Sequence, residues 1–257
     1  MKKITAFAPS GVPLIKKGSD LALLVSKLVE LKDKDIVVFS STIVSKSEGR
    51  TLPIKNIVPS ERAKRIAKKN KEDPRFVEAV LRESEDVLVE HPFMLVQTRS
   101  GHICPNAGID RSNIEDGFLL LHPKNADESA RGIGERIRKL SGKKVSVIIS
   151  DTCGRAFRIG QVGTAIGCCN ILPTSDWRGA RDLYGNVLKV KNEGIIDELS
   201  AIANILMGES SEGTPIVAIR GLNLYSSARC GAKNVFRPAR EDIIRGALKK
   251  HKERDGK

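Results

Sequence analysis

The chain has 257 residues, 40% hydrophobic and 29% charged, which suffices for a sizeable buried core and excludes a disordered chain. Its 44 Lys and Arg against 31 Asp and Glu leave a formal charge of +13, favouring nucleotides, phosphorylated small molecules or nucleic acid as partners. No apolar run reaches the length of a membrane span, and the one after Lys2 and Lys3 is too short for a signal peptide, so a cytoplasmic protein without a membrane partner is expected.

Aromatic residues make up only 4%, which leaves little material for stacking bases and disfavours nucleic acid as the partner. The five cysteines, Cys104, Cys153, Cys168, Cys169 and Cys230, are odd in number and contain no C-x-x-C pair. Free thiols in a reducing compartment are expected, not a disulfide framework or a zinc site.

In chain order, residues 4–8 read as a short strand. It leads into Pro9-Ser10-Gly11-Val12-Pro13-Leu14, an extended loop able to approach a ligand and equally an ordinary strand-to-helix turn. Ser19 or Asp20 can cap a helix whose Leu21, Leu24, Val25 and Leu28 share one face. Residues 35–39 are a buried strand running into Ser40, Ser41 and Thr42. The segment after it holds Lys46 and Arg50 among small hydroxyls: phosphate-oxygen donors, or a surface turn with helix caps.

Residues 60–86 predict two helices, the second capped by Asp73 with Pro74 in its first turn and Phe76, Val80 and Leu81 inward. Arg62 to Asn70, basic along most of its length, reads as a solvated helix face. Strands follow at 87–89 and 93–98, divided by a turn at His91-Pro92. In the polar stretch 101–113, Asp110 and Asn113 suit metal, ribose or phosphate contacts, and an Asx-turn would use the same residues. A strand at 118–121 precedes a helix from about Asp127, with Ala130, Ile133, Ile137 and Leu140 inward and Gly142 as its stop.

The densest signal is Val145-Ser146-Val147-Ile148-Ile149-Ser150-Asp151-Thr152-Cys153-Gly154-Arg155. The β-branched run predicts a strand buried on both faces. Its carboxyl end, where open α/β sheets place ligands, carries a carboxylate and a hydroxyl suited to Mg²⁺ or Mn²⁺. Arg155 and Arg158 add cations among Gly154, Gly160 and Gly163. Cys153 is a candidate nucleophile or, more commonly, a buried thiol. Further on come a polar loop at 176–185 with the only Trp and a helix at 197–207 with Leu199, Ile202, Ala203 and Leu206 inward. A Gly/Ser-rich loop bearing Glu209 follows, then a buried strand at 216–219, a helix from about Pro238 and a basic tail at 249–257.

Three acids, Asp110, Asp151 and Glu209, thus stand at element ends beside hydroxyls or amides, with Lys46, Arg155 and Arg158 in similar loops. That set suits phosphoryl transfer assisted by divalent metal ions. The chain has no G-x-x-x-x-G-K-[ST] loop, no complete dinucleotide fingerprint and no G-x-S-x-G elbow, so a nucleotide needs another binding scheme.

The ordered set Gly11-Val12-Pro13-Leu14, Ser41-Thr42-Ile43-Val44-Ser45-Lys46-Ser47-Glu48-Gly49-Arg50, Asn106-Ala107-Gly108-Ile109-Asp110-Arg111-Ser112-Asn113 and Ser150-Asp151-Thr152-Cys153-Gly154-Arg155 resembles the coenzyme F420-0:gamma-glutamyl ligase family over nearly the full length. Asp176-Trp177, Leu183-Tyr184-Gly185 and Met207-Gly208-Glu209 through Pro215 extend the match. Pro105 and Cys168-Cys169-Asn170 depart from it, and residues 225–236 match least. The resemblance implies a GTP-dependent ligase joining L-glutamate to coenzyme F420-0, and then a second glutamate in gamma linkage, through an acyl phosphate. It implies one divalent ion, Mg²⁺ or Mn²⁺, on Asp110 and Asp151 and a second on Thr152 and Glu209, with room for a monovalent ion such as K⁺. GTP contacts would come from Gly11, Val12, Pro13, Leu14, Ser41, Thr42, Lys46 and Asn113, and from Met207, Gly208, Glu209, Ser210, Ser211, Glu212, Gly213 and Thr214. Asp110, Asp151 and Arg155 are the expected catalytic residues. Strand burial alone points to a doubly wound sheet; the resemblance replaces this with a mixed α+β fold. In that fold residues 1–257 form a single domain of two closely joined subdomains that pairs as an intertwined homodimer. The alternatives are a related metal- and nucleotide-dependent carboxylate–amine ligase with another substrate and, from a different class, a basic nucleic-acid-binding module.

Overall fold

The structure is a computed structural model and describes residue 1 and residues 3–248. The predicted basic tail at 249–257 lies outside the described residues, as does Lys2.

In order, the elements are β1 (Thr5–Phe7), α1 (Leu21–Leu28), β2 (Ile36–Ser40), α2 (Ser41–Ser47), β3 (Thr51–Pro53), α3 (Glu61–Asn70), α4 (Pro74–Glu83), β4 (Ser84–Val89), β5 (Leu95–Thr98) and β6 (Ile103–Pro105). They continue with β7 (Phe118–Leu120), α5 (Ala126–Ser141), β8 (Ser146–Gly154), β9 (Gln161–Cys169), β10 (Ser175–Asp176), β11 (Asn192–Glu193), α6 (Ile195–Met207) and β12 (Ile216–Arg220). The central sheet has the order β1-β12-β2-β8-β9, and only β2 and β8 run parallel. This corrects the doubly wound expectation. Burial on both faces made the strands look parallel, but helices cover both sides of a mostly antiparallel sheet just as completely.

The alternation of a pleated strand assigns the two faces. Val37, Phe39, Val147 and Ile149 join the core under α1 and α5, while Ile36, Val38 and Ile148 join the core under α6. A third core lies elsewhere, built by α3 and α4 with Val87, Met94, Val96 and Leu119. It belongs to the segment that contains the antiparallel sheet β4-β5-β6 and the pair β3-β7. Capping follows the sequence: Asp20 accepts from Leu23 N, Ser60 from Ala63 N, Asp73 from Arg75 N, and Gly142 closes α5 in the left-handed region.

Four expectations change. Residues 41–47 are a helix, not a loop, so Lys46 sits in its last turn. The glycine-rich stretch is the long strand β9, where Gly163 and Gly167 serve close packing: a Cβ at either would overlap the backbone of Ser200 or Ala126. Leu140 and Leu206 are exposed, because the inward lines of α5 and α6 run through Ile137 and through Leu199, Ala203 and Met207 instead. The helix expected from Pro238 begins only at residue 243 among the described residues.

One buried charge went unread in the sequence. Asp35 is fully buried before β2, and Arg220, at the end of β12, grips it with two nitrogens at 2.7 and 2.8 Å. Lys32 N donates to the same carboxylate at 2.7 Å.

Candidate functional site

β2 and β8 end side by side, and their register explains where a cleft can form. The last paired residues are Ser40 and Ser150; β8 then continues to Gly154 while β2 turns into α2. Asp151 and Thr152 therefore project beyond the end of the neighbouring strand, on opposite faces of β8. Because β12 is antiparallel to β2, the loop entering it at Pro215 reaches the same edge. A cleft of about 640 Å³ opens there.

Most of the predicted residues converge on it. Val12, Pro13 and Leu14 come from the first loop, Ser41, Thr42 and Lys46 from α2, and Asp110 and Asn113 from the segment before β7. Asp151 and Thr152 come from β8, and Met207, Gly208, Glu209, Ser210, Ser211, Gly213 and Thr214 from the end of α6 and its loop. Gly11 and Glu212 are not part of the lining, although Glu212 shapes it by accepting from Ser210 N at 2.9 Å. Arg155 and Arg158 stand outside the lining on the loop between β8 and β9, where Arg155 donates to Gly160 O at 3.1 Å.

Each acid is held differently. Asp110 is pinned to β7 by reciprocal backbone bonds with Leu120, and its carboxylate accepts from Ser112 N at 2.7 Å. The Asx-turn and a place in the cleft thus occur together. Glu209 accepts from Thr152 Oγ1 and from Asn204 Nδ2, both at 2.9 Å. Asp151 accepts from Ser41 Oγ at 2.7 Å on one oxygen and from His122 Nε2 at 2.8 Å on the other. An ionised carboxylate only accepts, so His122 carries its proton on Nε2. Lys46 Nζ donates to Asn113 O, tying α2 to the segment after Asp110.

Sequence reasoning missed His122 and Asn204. The signal for His122 was its place directly after the buried strand at 118–121. For Asn204 it was the spacing of five from Glu209 across a helix end. Gly108 accommodates His122, since a Cβ there would overlap the imidazole, and its φ of +65° suits glycine.

Burial alone would raise the Asp151 carboxyl, but the His122 charge and the hydrogen bonds from His122 and Ser41 outweigh it and lower the value. Burial would likewise lower His122, and the charge and hydrogen bond of Asp151 raise it instead. The neighbouring His102 lacks such a partner; burial and the His122 charge push it down to about 4. Cys153 is raised by burial and by the Asp151 charge, which disfavours the thiolate that a nucleophilic role needs.

The sign of the resulting pH dependence follows. Asp151, ordinarily at 3.8 and lowered in the fold, contributes stability that is present above that value and lost as pH falls through its folded pKa. His122, ordinarily at 6.5 and raised, contributes stability fully present below 6.5 and lost as pH rises through its folded pKa. In chelator-treated protein, the gap in thermal midpoint between wild type and His122→Gln is expected to be widest between 3.8 and 6.5, narrowing on either side. A gap that grows steadily above pH 7 contradicts the pair.

Among the described residues, no group of three or more His, Cys, Asp or Glu side chains is arranged to hold a metal ion by itself. The oxygen donors come as smaller sets: Asp110 and Asp151 on one cleft, and Thr152 in contact with Glu209. No helix among the described residues is long and apolar enough to cross a membrane.

Fold and site together define a mixed α/β protein that gathers carboxylates, hydroxyls and backbone amides, beside apolar side chains, around an open cleft. A family model described as F420-0:Gamma-glutamyl ligase matches residues 11–221, and the chain belongs to that family. A coenzyme F420:L-glutamate ligase of Methanosarcina barkeri is 50% identical to it over 247 residues, 96% of this chain and 97% of that one. Proteins of the same name from Archaeoglobus fulgidus and Methanothermobacter thermautotrophicus are 47% and 42% identical, over 96% and 95% of this chain and 99% of each of theirs.

Proposed function

We propose that this chain is a GTP-dependent ligase of coenzyme F420 biosynthesis. It adds L-glutamate through its amine to the lactyl carboxylate of coenzyme F420-0, and then adds a second glutamate in gamma linkage. The observation that carries this reading is the convergence of Asp110, Asp151, Thr152 and Glu209 with Lys46 and the 207–214 loop on one cleft in a member of this family.

A carboxylate does not react with an amine unaided, because its oxygen is a very poor leaving group. In the proposed sequence a carboxylate oxygen attacks the γ-phosphorus of GTP, forming an acyl phosphate and releasing GDP. The amine nitrogen then attacks the acyl carbon, phosphate leaves with the C–O bonding pair, and the amine loses a proton. Divalent ions, Mg²⁺ or Mn²⁺, would neutralise the phosphate charge in such a transfer. Asp110 and Asp151 would hold one ion, and Thr152 with Glu209 the other. Small oxygen sets suit Mg²⁺, which is commonly bound by one or two carboxylates and completed by substrate phosphates and water. Ser41 and His122 fix the Asp151 carboxylate, while Asn204 fixes Glu209. Hydroxyls and amides at Ser41, Thr42, Ser210, Ser211 and Thr214, with Lys46, would hold phosphate oxygens. We assign no step to Arg155 or Arg158. A homodimer in the cytoplasm belongs to the same reading.

Incubation with F420-0, L-glutamate, GTP and Mn²⁺ should give GDP, phosphate and a product one or two glutamates heavier by mass spectrometry. Replacing GTP with ATP, and glutamate with other amino acids, tests each specificity. No mass shift with an active F420-0 preparation sinks the reading.

A further inference from the structure

A second cavity of about 650 Å³ lies beside the cleft. Its position follows from the sheet. Asp151 and Thr164 are directly opposed across β8 and β9, so their side chains share one face. Asp151 lines the cleft and Thr164 lines the second cavity. Two imidazoles repeat this division: His122 lines the cleft, His102 lines the second cavity, and their ring centroids are 6.5 Å apart. The two spaces are therefore neighbours on one face of the sheet.

The chemistry of the second cavity is cationic. Arg99, Lys233, Arg237 and Arg245 line it against two acids, Asp197 and Asp242. Both acids are engaged by backbone amides: Asp197 accepts from Ala165 N at 2.9 Å, and Asp242 from Arg245 N at 3.0 Å and Ile244 N at 3.1 Å. Lys233 and Arg237 have no ion-pair partner among the described residues, while Arg245 donates from Nη2 to Gln97 Oε1 and reaches Asp86 at 3.6 Å. Two buried polar atoms at this cavity lack a hydrogen-bond partner, His102 Nε2 and Arg245 Nε. Arg245 Nε is an unmet buried donor, costly unless a ligand supplies an acceptor, while the neutral His102 ring can donate or accept there according to its tautomer. Phe236 packs on His102 at 5.9 Å, bringing the segment least like the family into this wall.

We propose that this second cavity is a carboxylate-binding subsite, seating carboxylates of L-glutamate or of the glutamyl-accepting deazaflavin while the reacting end enters the adjoining cleft; this rests on the ligase reading above. Arg forks match carboxylates in two parallel hydrogen bonds, and Lys supplies a point charge for a second carboxylate. The subsite also suits both rounds of addition, since each product presents new carboxylates of the same chemistry.

The test is the double variant Lys233→Gln/Arg237→Gln, with Arg99→Gln as a second, single change at a different wall. Steady-state kinetics should show about a tenfold rise in KM for the substrate seated there, as expected for lost charge-assisted hydrogen bonds, with the KM for GTP unmoved. A rise for glutamate alone assigns the amine-bearing substrate, and a rise for F420-0 alone assigns the acceptor. Unchanged KM for both, or a parallel rise in the KM for GTP, overturns the subsite. If wild-type protein yields no ligated product, the ligase reading fails first. The subsite is then read by calorimetric titration of L-glutamate and of F420-0 into wild type and variant. Weaker binding to the variant supports it; equal binding, or none to either protein, overturns it.

Discussion

Asp151→Asn is expected to lower ligase turnover by at least about 100-fold while leaving the far-UV circular dichroism of the protein unchanged. Asparagine has nearly the same volume and its carbonyl can still accept from Ser41 Oγ, which bonds the carboxylate at 2.7 Å. What it lacks is the charge, both as a divalent-ion ligand and as the partner of His122. The strand beneath is held by Val147, Ile148 and Ile149, all fully buried, so the sheet does not depend on this one carboxylate. Fixed-time product formation across a range of Mn²⁺ concentrations gives the measurement. Near-normal turnover at every concentration would show that Asp151 is not part of the metal-binding set.

The second large effect concerns stability and lies at the other end of the same strands. Arg220→Ala should destabilise the fold by about 3–5 kcal/mol, because it leaves the Asp35 carboxylate buried without its counter-charge. Asp35 is wholly enclosed while Arg220 is 30% exposed, so the arginine can be removed but the acid cannot reach water. The same side chain donates to Glu30 O at 3.0 Å and lies over Phe7, which adds lost packing to lost charge. Urea denaturation monitored by circular dichroism measures the change. Replacing both partners by apolar residues should recover much of it, since a buried pair removed whole costs far less than one broken. A single-variant loss below about 1 kcal/mol would mean that solvent reaches Asp35.

Much of this architecture could be read locally. The β-branched run at 145–149, the Asp73-Pro74 start of α4 and the Gly142 stop of α5 each act through near neighbours: side-chain periodicity, a cap, a left-handed residue. Their positions in the structure agree with that reading. Family membership was legible for a similar reason, because the motifs form an ordered set along the chain. The grouping of Asp110, Asp151 and Glu209 came from acids beside hydroxyls and amides at element ends, and the resemblance made it specific; no spacing between them carried it.

What needed the tertiary structure is every contact made across distance. Asp35 and Arg220 are 185 residues apart, and neither has a local pattern that marks it as half of a buried pair. His122 acquires its role only when β7 brings it against β8, where Asp151 meets it, and Gly108 only because an imidazole fills the space its side chain would need. The same holds for the direction of the strands: burial on both faces is written in composition, but whether a neighbour runs parallel is set by the connections. Sequence by itself determined which residues want to be strand, helix, cap or core, since those preferences are energies of a few adjacent residues. The structure decided which charges meet and which cavities adjoin, because those energies depend on distances the chain order does not contain.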